Sequence, residues 1–364
     1  MDKVRLGDYI VVKTGKLDAN AADENGMYPF FTCSQTPLRI NDYAFDCECV
    51  LIAGNGDLNV KYYNGKFNAY QRTYVITATK EINMKYLYHF FDFYIEKLRQ
   101  QSIGGVIKYI KLNNLTDIRF NLYDLPTQQK IVKELDCLSD IIEKKKKQLS
   151  DFDELIKSKF VEMFASAPSK KIEDVCSSFK IGPFGSALHK NEIVKEGFAF
   201  VLGTDNAVKN EFSFDEIRYI DKDKYQQLES YAVKPGDIIM SMMGTVGRVA
   251  IIPDNLGVAV ISSHLCILRV NKQYIYPEFF HVAFCKDENI QHQISDIHNG
   301  SIMKGFNLKI VKAFKIKCPS LEEQLKFLSF KKLIDKSKLE VQQSIDETQN
   351  LFNERMQHYF GVEK

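Results

Sequence analysis

Two short segments, Gly104-Gly105-Val106-Ile107-Lys108 and Gly300-Ser301-Ile302-Met303-Lys304, keep glycine and lysine at the same places in the two halves of the chain. Glycine permits a tight turn, and a neighbouring lysine can hold an anionic group such as a phosphate. Further turns and loops carry side chains of the same kind. In the first half these are Lys16, Ser34, Gln35, Asn55, Gln71, Arg72, Ser102 and Lys108; in the second they are Ser186, Lys190, Thr245, Arg248, Ser263, His264, Ser301 and Lys304. Hydroxyl, amide and imidazole groups on loops can read base edges in a DNA groove, while Lys, Arg and backbone amides can hold phosphates. Each glycine turn also fits a plain strand connection, and Arg72 and Arg248 fit surface ion pairs. His264 and His298 suit hydrogen-bonded loop or core positions better than catalytic bases, and Lys144-Lys145-Lys146-Lys147 suits a solvated helix face better than a phosphate site.

Other chemistries lack their residues. The eight cysteines (33, 47, 49, 137, 176, 266, 285 and 318) form no CxxC pair and have no histidines at zinc-ligand spacing, so they read as free thiols. Gly54-Asn55-Gly56 lacks the rest of a nucleotide-binding fingerprint, and there is no GxxxxGK[ST] loop. A self-contained adenine methyltransferase would need a glycine-rich cofactor turn and an Asn/Asp-Pro-Pro-aromatic motif; a nuclease would need clustered carboxylates with a lysine. Neither pattern occurs, so no catalytic residue, metal or cofactor is expected in this chain. With 49 Lys and Arg against 47 Asp and Glu, net charge is only +2, and any DNA-binding surface must come from local placement. Hydrophobic content of 45% with 26% charged residues suits a folded soluble protein. No segment approaches the ~18–20 uninterrupted apolar residues of a membrane span. Met1-Asp2-Lys3-Val4-Arg5 is unlike a signal peptide, and a cytoplasmic location without membrane contact is expected.

The elements that must position these loops occur twice. One succession runs through Gly104–Lys108, Leu112, Ile118, Phe120 and Pro126 to Gln129, then a helical pattern ending in Phe160-Val161-Glu162-Met163-Phe164. The other runs through Gly300–Lys304, Leu308, Phe314, Ile316 and Pro319 to Gln324, then a pattern ending in Met356-Gln357-His358-Tyr359-Phe360. Offsets are 193 for the prolines and 196 for Leu112 to Leu308 and Phe164 to Phe360. Upstream, Leu6-Gly7-Asp8 corresponds to Ile172-Glu173-Asp174 at an offset of 166, so the second globular part is about 30 residues longer. Strands are predicted at Cys49–Ala53, Thr73–Thr77, Asp237–Met240 and Val249–Ile252, with glycine turns after the first and third. Shorter helical patterns cover Met84–Gln101 and Pro277–Ile297. The predicted class is α+β, twice over.

The long helical arms carry heptad seams. Ile131, Leu135, Leu138, Ile142, Leu149, Phe152, Ile156 and Met163 step by three and four if Lys145 and Lys159 fill two seam positions. The second seam has Ile334, Val341, Ile345, Phe352 and Tyr359, with Lys338, Thr348 and Arg355 between them. Two such arms suit each other as an antiparallel coiled coil, although either alone also suits packing on a nearby domain. The predicted layout is two globular parts, 1–125 and 166–318, alternating with helices 126–165 and 319–364.

At the level of motifs the sequence resembles the specificity subunits of type I restriction-modification systems. The resemblance is carried by Ile181-Gly182-Pro183-Phe184-Gly185-Ser186, Lys234-Pro235-Gly236-Asp237-Ile238-Ile239, Gly244-Thr245-Val246-Gly247-Arg248, and the proline-to-helix junctions. The first half has no counterpart of Pro183-Phe184-Gly185, and carries Gly15-Lys16 and Tyr28-Pro29-Phe30-Phe31 in that region. The resemblance implies a pseudo-two-fold chain with two target recognition domains, each reading one half of a split, asymmetric double-stranded DNA target, and spacer helices between them. It further implies two methyltransferase subunits and one or two restriction (motor-nuclease) subunits as partners. S-adenosylmethionine, ATP and magnesium would then belong to those partners. The competing reading is a helical scaffold that binds only protein.

Overall fold

A computed structural model describes residues 3–79, 82–184, 187–300 and 305–361, except for the side chains of 190 and 298–300. Ser186, Ser301, Lys304 and the side chains of Lys190 and His298 therefore lie outside the described residues. The chain divides into two compact units, Met1–Gln148 with Glu340–Lys364, and Leu149–Leu339.

The first unit contains strands β1 (Lys3–Arg5), β2 (Ile10–Thr14), β3 (Tyr28–Phe31), β4 (Leu38–Ile40), β5 (Phe45–Ala53), β6 (Val60–Ala69) and β7 (Thr73–Ala78). Helices α1 (Met84–Gln101) and α2 (Leu112–Thr116) and strand β8 (Arg119–Asn121) follow, before the long helix α3 (Leu125–Phe164) begins. Six strands form one sheet in the order β2-β7-β5-β6-β3-β4, antiparallel except where β3 runs alongside β6. The run Cys49-Val50-Leu51-Ile52 is apolar throughout because β5 is covered on both faces. Val50 and Ile52 join Ile76, Leu87, Phe90, Phe91 and Leu98 in the core under α1, while Cys49 and Leu51 join Phe31, Phe67 and Val75 on the opposite face. Each of the fully buried phenylalanines stabilises this unit by roughly 1.5–3 kcal/mol relative to exposure.

The second unit contains β9 (Ser169–Lys171), α4 (Ile172–Val175), β10 (Cys176–Ile181), β11 (Ala199–Leu202), β12 (Tyr219–Ile220), α5 (Lys222–Leu228), β13 (Ile238–Ser241), β14 (Val249–Ile251), β15 (Ala259–Ile261) and β16 (Leu265–Val270). After these come α6 (Pro277–Lys286), α7 (Glu288–Gly300), α8 (Leu308–Ala313), β17 (Lys315–Lys317) and the start of the second long helix, α9 (Leu321–Phe360). Here a four-stranded antiparallel sheet, β10-β16-β13-β14, faces a three-stranded one, β12-β11-β15. Alternation along the strands again separates two cores. Ile238, Met240, Cys266 and Leu268 pack toward the helices, and Ile239, Leu265 and Ile267 pack toward Leu202, Ala259 and Ile261 of the smaller sheet.

The mixed helix-and-strand class predicted from the sequence is what the chain adopts. One predicted helix differs: the pattern over Pro277–Ile297 is broken at Asp287, whose backbone is extended at φ −75° and ψ 117°. The Asp287 carboxylate accepts the Asn289 N–H at 3.1 Å, capping a second helix where one continuous helix was expected.

Both junctions into the long helices are built alike. The first strand of each unit pairs with the last one before the helix, β1 with β8 and β9 with β17. Leu6 N–H donates to Ile118 O, and Ile172 N–H to Phe314 O, both at 2.8 Å. Gln128 is buried, takes the Asn83 N–H on Oε1 at 2.9 Å and donates Nε2–H to Tyr123 O at 2.8 Å. Gln324 is likewise buried, takes the Tyr276 N–H at 3.0 Å and donates to Tyr274 O at 2.8 Å and Pro319 O at 3.0 Å. These glutamines are 196 positions apart, so the sequence pairing of Pro126 with Pro319 and of Gln129 with Gln324 needs correction. Pro126 lies inside the first turn of α3, behind the capping Asp124, whereas Pro319 precedes the capping Ser320; Gln129 is exposed.

The helix ends are anchored by aromatics. In the second unit Phe164, the last residue of α3, packs on Phe279 and Phe327, with ring centroids at 5.0 and 5.6 Å. In the first unit Phe360, the last residue of α9, packs on Tyr86 and Phe90 at 5.2 and 5.8 Å. Within the first unit, Arg355 Nε meets Glu134 at 2.9 Å, and Lys145 Nζ donates to the Ser344 carbonyl at 3.4 Å. Within the second, Lys338 Nζ meets Asp153 at 2.6 Å. In the first unit the partner numbers fall as the α3 numbers rise, so the segments there run antiparallel. Lys145 is half-buried.

Candidate nucleic-acid interface

In the first unit, several predicted site residues converge at the turn after β5. Gly54 N–H donates to Arg72 O at 2.7 Å, Gly54 O accepts from Ile110 N–H at 2.9 Å, and Gly56 N–H donates to Lys108 O at 2.9 Å. Gly56 has φ +70°, a conformation natural to glycine. The Asn55 side-chain oxygen accepts from Cys33 Sγ at 2.9 Å, which brings the exposed Ser34 and Gln35 to the same turn. Asn55, Arg72 and Lys108 thus have fixed backbones, and the side chains of Arg72 and Lys108 are exposed. The loop at 104–108 also presents Val106, fully exposed, and Ile107. Lys16 is exposed beyond β2, near Gln71, whose N–H donates to Leu17 O at 2.9 Å. Ser102 is different: its hydroxyl donates to Arg99 O at 2.6 Å and closes α1.

The second unit repeats this clasp on other residues. Met242 N–H donates to His264 O at 2.8 Å, and Met242 O accepts from Phe306 N–H at 2.9 Å. Met242 therefore stands where Gly54 stands, His264 where Arg72 stands, and Phe306 where Ile110 stands. Thr245 and Arg248 belong to the turn that follows β13, held by Ser241: its hydroxyl donates to Thr245 O at 2.5 Å and accepts the Arg248 N–H at 2.9 Å. Gly244 and Gly247, at φ +77° and +78°, shape that turn.

Ser263 and His264 line a cavity together with Pro183, Gly203, Asp205 and Arg218. Arg218 and Asp205 were not among the sequence candidates, since neither stands in a glycine-bounded turn with a basic neighbour. In the Lys234-Pro235-Gly236-Asp237 motif, buried Asp237 serves the fold. Its carboxylate takes Arg269 Nε–H at 2.7 Å, Arg269 Nη2–H at 2.6 Å and the Lys234 N–H at 2.8 Å.

All eight cysteines are free. Burial raises the thiols of Cys176, Cys266 and Cys285 to about 12, which keeps them protonated at neutral pH. Among the described residues, no group of three or more His, Cys, Asp or Glu side chains could hold a metal ion, and no helix is long and apolar enough to cross a membrane.

Residues 1–150 and 168–348 match the family model described as the type I restriction modification DNA specificity domain. The type I restriction enzyme EcoDI specificity subunit of Escherichia coli is 44% identical over 154 residues, 42% of this chain and 34% of that subunit. The chain thus matches about a third of the length of that relative, and 56% of the EcoBI specificity subunit of the same species. The MjaVIII specificity subunit of Methanocaldococcus jannaschii is 20% identical, over 91% of this chain and 85% of its own length. Among solved structures, the S subunit of a type I restriction-modification system from M. genitalium has a TM-score of 0.60 at 14% identity, covering 100% of this chain and 96% of its own. This last likeness is one of fold. With the family model matching most of its length, the chain belongs to the type I restriction-modification DNA specificity family.

Proposed function

We propose that each globular part, 1–125 and 166–318, reads one half of a bipartite, asymmetric double-stranded DNA target. The observation that carries this reading is the clasp found once in each unit, Gly54 between Arg72 and Ile110, and Met242 between His264 and Phe306. The same scaffold presents different side chains from different sheets, as two half-sites of unlike sequence require. The junction glutamines and the 196-residue offset support a pseudo-two-fold internal repeat.

The helices α3 and α9 pair as an antiparallel coiled coil that sets the half-site spacing. Forty residues of α-helix span about 60 Å, longer than one DNA turn of roughly 34 Å. Two methyltransferase subunits dock on this spacer, and restriction subunits complete the assembly. Methyl transfer from S-adenosylmethionine and ATP- and magnesium-dependent work belong to those partners, while this chain supplies positioning and no chemical step.

The test is to exchange residues 1–125 for the equivalent part of another family member, assemble the complex and read the methylated motif by sequencing host DNA. One half of a split motif should change and the other stay. If both halves change, or neither does, the two-reader layout is wrong. If the assembled complex shows no sequence-dependent affinity at moderate salt, a protein-binding scaffold is the better reading.

A further inference from the structure

The cavity beside Ser263 and His264 is also lined by one arginine, Arg218. Strands β11 and β15 run parallel, and their C-terminal ends open into Gly203-Thr204-Asp205 and Ser262-Ser263-His264, which line one side of it. Arg218 reaches the same cavity from the segment leading into β12, its carbonyl fixed by the Val201 N–H at 2.9 Å. Its guanidinium Nη2–H donates to Asp205 Oδ2, and the two side chains are 35% and 33% exposed. Nε of Arg218 is buried without a hydrogen-bond partner. A Cβ at Gly203 would press on both the Asp205 carboxylate and the Arg218 guanidinium, so a side chain there would make the pair shift. The loop carrying Asp205 is itself fixed, since buried Asn206 accepts the Gly203 N–H at 2.8 Å and donates to Ser213 O at 2.9 Å.

We infer that Arg218, held from one side by Asp205, reads a guanine in the half-site assigned to residues 166–318 by donating to its O6 and N7. This inference rests on the DNA-reading function proposed above. A guanidinium with one edge tied to a carboxylate is already oriented, so less freedom is lost on binding. The carboxylate also cancels its charge. The site therefore suits a neutral pair of acceptors better than a phosphate, which Asp205 would repel. The major-groove edge of guanine presents two such acceptors in the spacing of the guanidinium fork.

The experiment uses the chain assembled with its methyltransferase subunits. Selection from a randomised duplex library gives the preferred motif, and the same selection is run with Arg218→Ala, Arg218→Lys and Gly203→Ala. One G·C pair in the second half-site should lose preference by about tenfold or more, with the other positions and the first half-site unchanged. Replacing that guanine by 7-deazaguanine, which lacks N7, should weaken the wild-type complex several-fold and leave the Arg218→Ala complex unaffected. A guanine preference that survives Arg218→Ala, or an equal loss at every position, would make the pair a structural ion pair and overturn the assignment. Should the variants fail to fold, the wild-type complex still decides: indifference to 7-deazaguanine throughout that half-site overturns it. A selection that yields no motif at all overturns the DNA-reading function, and this assignment with it.

Discussion

Gln324 Oε1 accepts the backbone N–H of Tyr276 at 3.0 Å while its Nε2 donates to the carbonyls of Tyr274 and Pro319, so one buried side chain ties the start of α9 to the segment that enters α6. Gln324→Leu keeps the volume but removes hydrogen bonds from three backbone groups, Pro319 O in a buried contact and Tyr276 N–H and Tyr274 O in part-buried ones. Each unsatisfied group costs about 1–3 kcal/mol, with partial relief where the structure relaxes. A drop of about 2–4 kcal/mol is expected for Gln324→Leu, and a similar one for Gln128→Leu, measured by urea unfolding. Gln129→Leu, on the exposed neighbour, should change stability by less than about 0.5 kcal/mol.

Asp237 is almost fully buried and receives the Nε–H and Nη2–H along one edge of the Arg269 guanidinium, yet Arg269 remains 36% exposed. Asp237→Ala removes the partner of a charge that water still reaches, and also frees the Lys234 N–H. Full burial would set the destabilisation near about 3–5 kcal/mol, and the exposure of Arg269 reduces it to about 1–3 kcal/mol. Thermal unfolding of Asp237→Ala should show that decrease, and sequence preference in whatever complex survives should be unaltered. A changed motif would mean that this residue touches DNA after all.

Much of the fold was legible because burial leaves a mark on residue type. The apolar runs of β5 and β13 marked strands, which the structure covers on both faces, and the repeated junctions marked the helix starts. What escaped was decided by packing between distant segments. Gln128 and Gln129 are adjacent and of identical type, and only packing on Asn83 and Tyr123 separates the structural residue from its exposed neighbour. Arg218 lies 13 positions from Asp205 and carries no local motif; only the register of β11 against β12 and β15 brings it to the cavity. Glycine turns are local features, which is why Asn55 and Lys108 stand out in the sequence and meet at one clasp. Ser102 offers the same kind of hydroxyl in the sequence, but the structure takes it up in closing α1.

His89 and His281 give stability a pH dependence. His89 is buried, its Nε2 lies 2.8 Å from Asp136 Oδ1, and its Nδ1 is buried without a partner. Burial holds both imidazoles below their usual range, although Asp136 opposes this at His89. In the unfolded chain each protonates near about pH 6.5. Between that value and its lower folded value the unfolded state binds more protons, so stability is full above about pH 6.5 and falls as the pH drops below it. Each imidazole contributes at most about 1.4 kcal/mol per pH unit within its window. Urea midpoints should decline from about pH 7 to about pH 5, and His89→Gln with His281→Gln should flatten that decline. A decline of the same slope in the double variant would assign it to carboxylates instead.

Arg72 and Lys108 allow a test of the interface that leaves the fold intact. Their carbonyls hold Gly54 and Gly56, whereas their side chains extend into solvent. Truncating them to alanine keeps the clasp and removes only charge. Removing one protein–phosphate ion pair should make the slope of log K against log salt shallower by about 0.9. Arg72→Ala with Lys108→Ala should therefore flatten it by about 1.8 when the assembled complex is titrated between about 50 and 200 mM salt. If these residues position the backbone, affinity will fall equally on target and unrelated duplexes. A decrease confined to the target, at one base pair, would move the residue responsible from phosphate binding to base reading, because only groove contacts distinguish sequences.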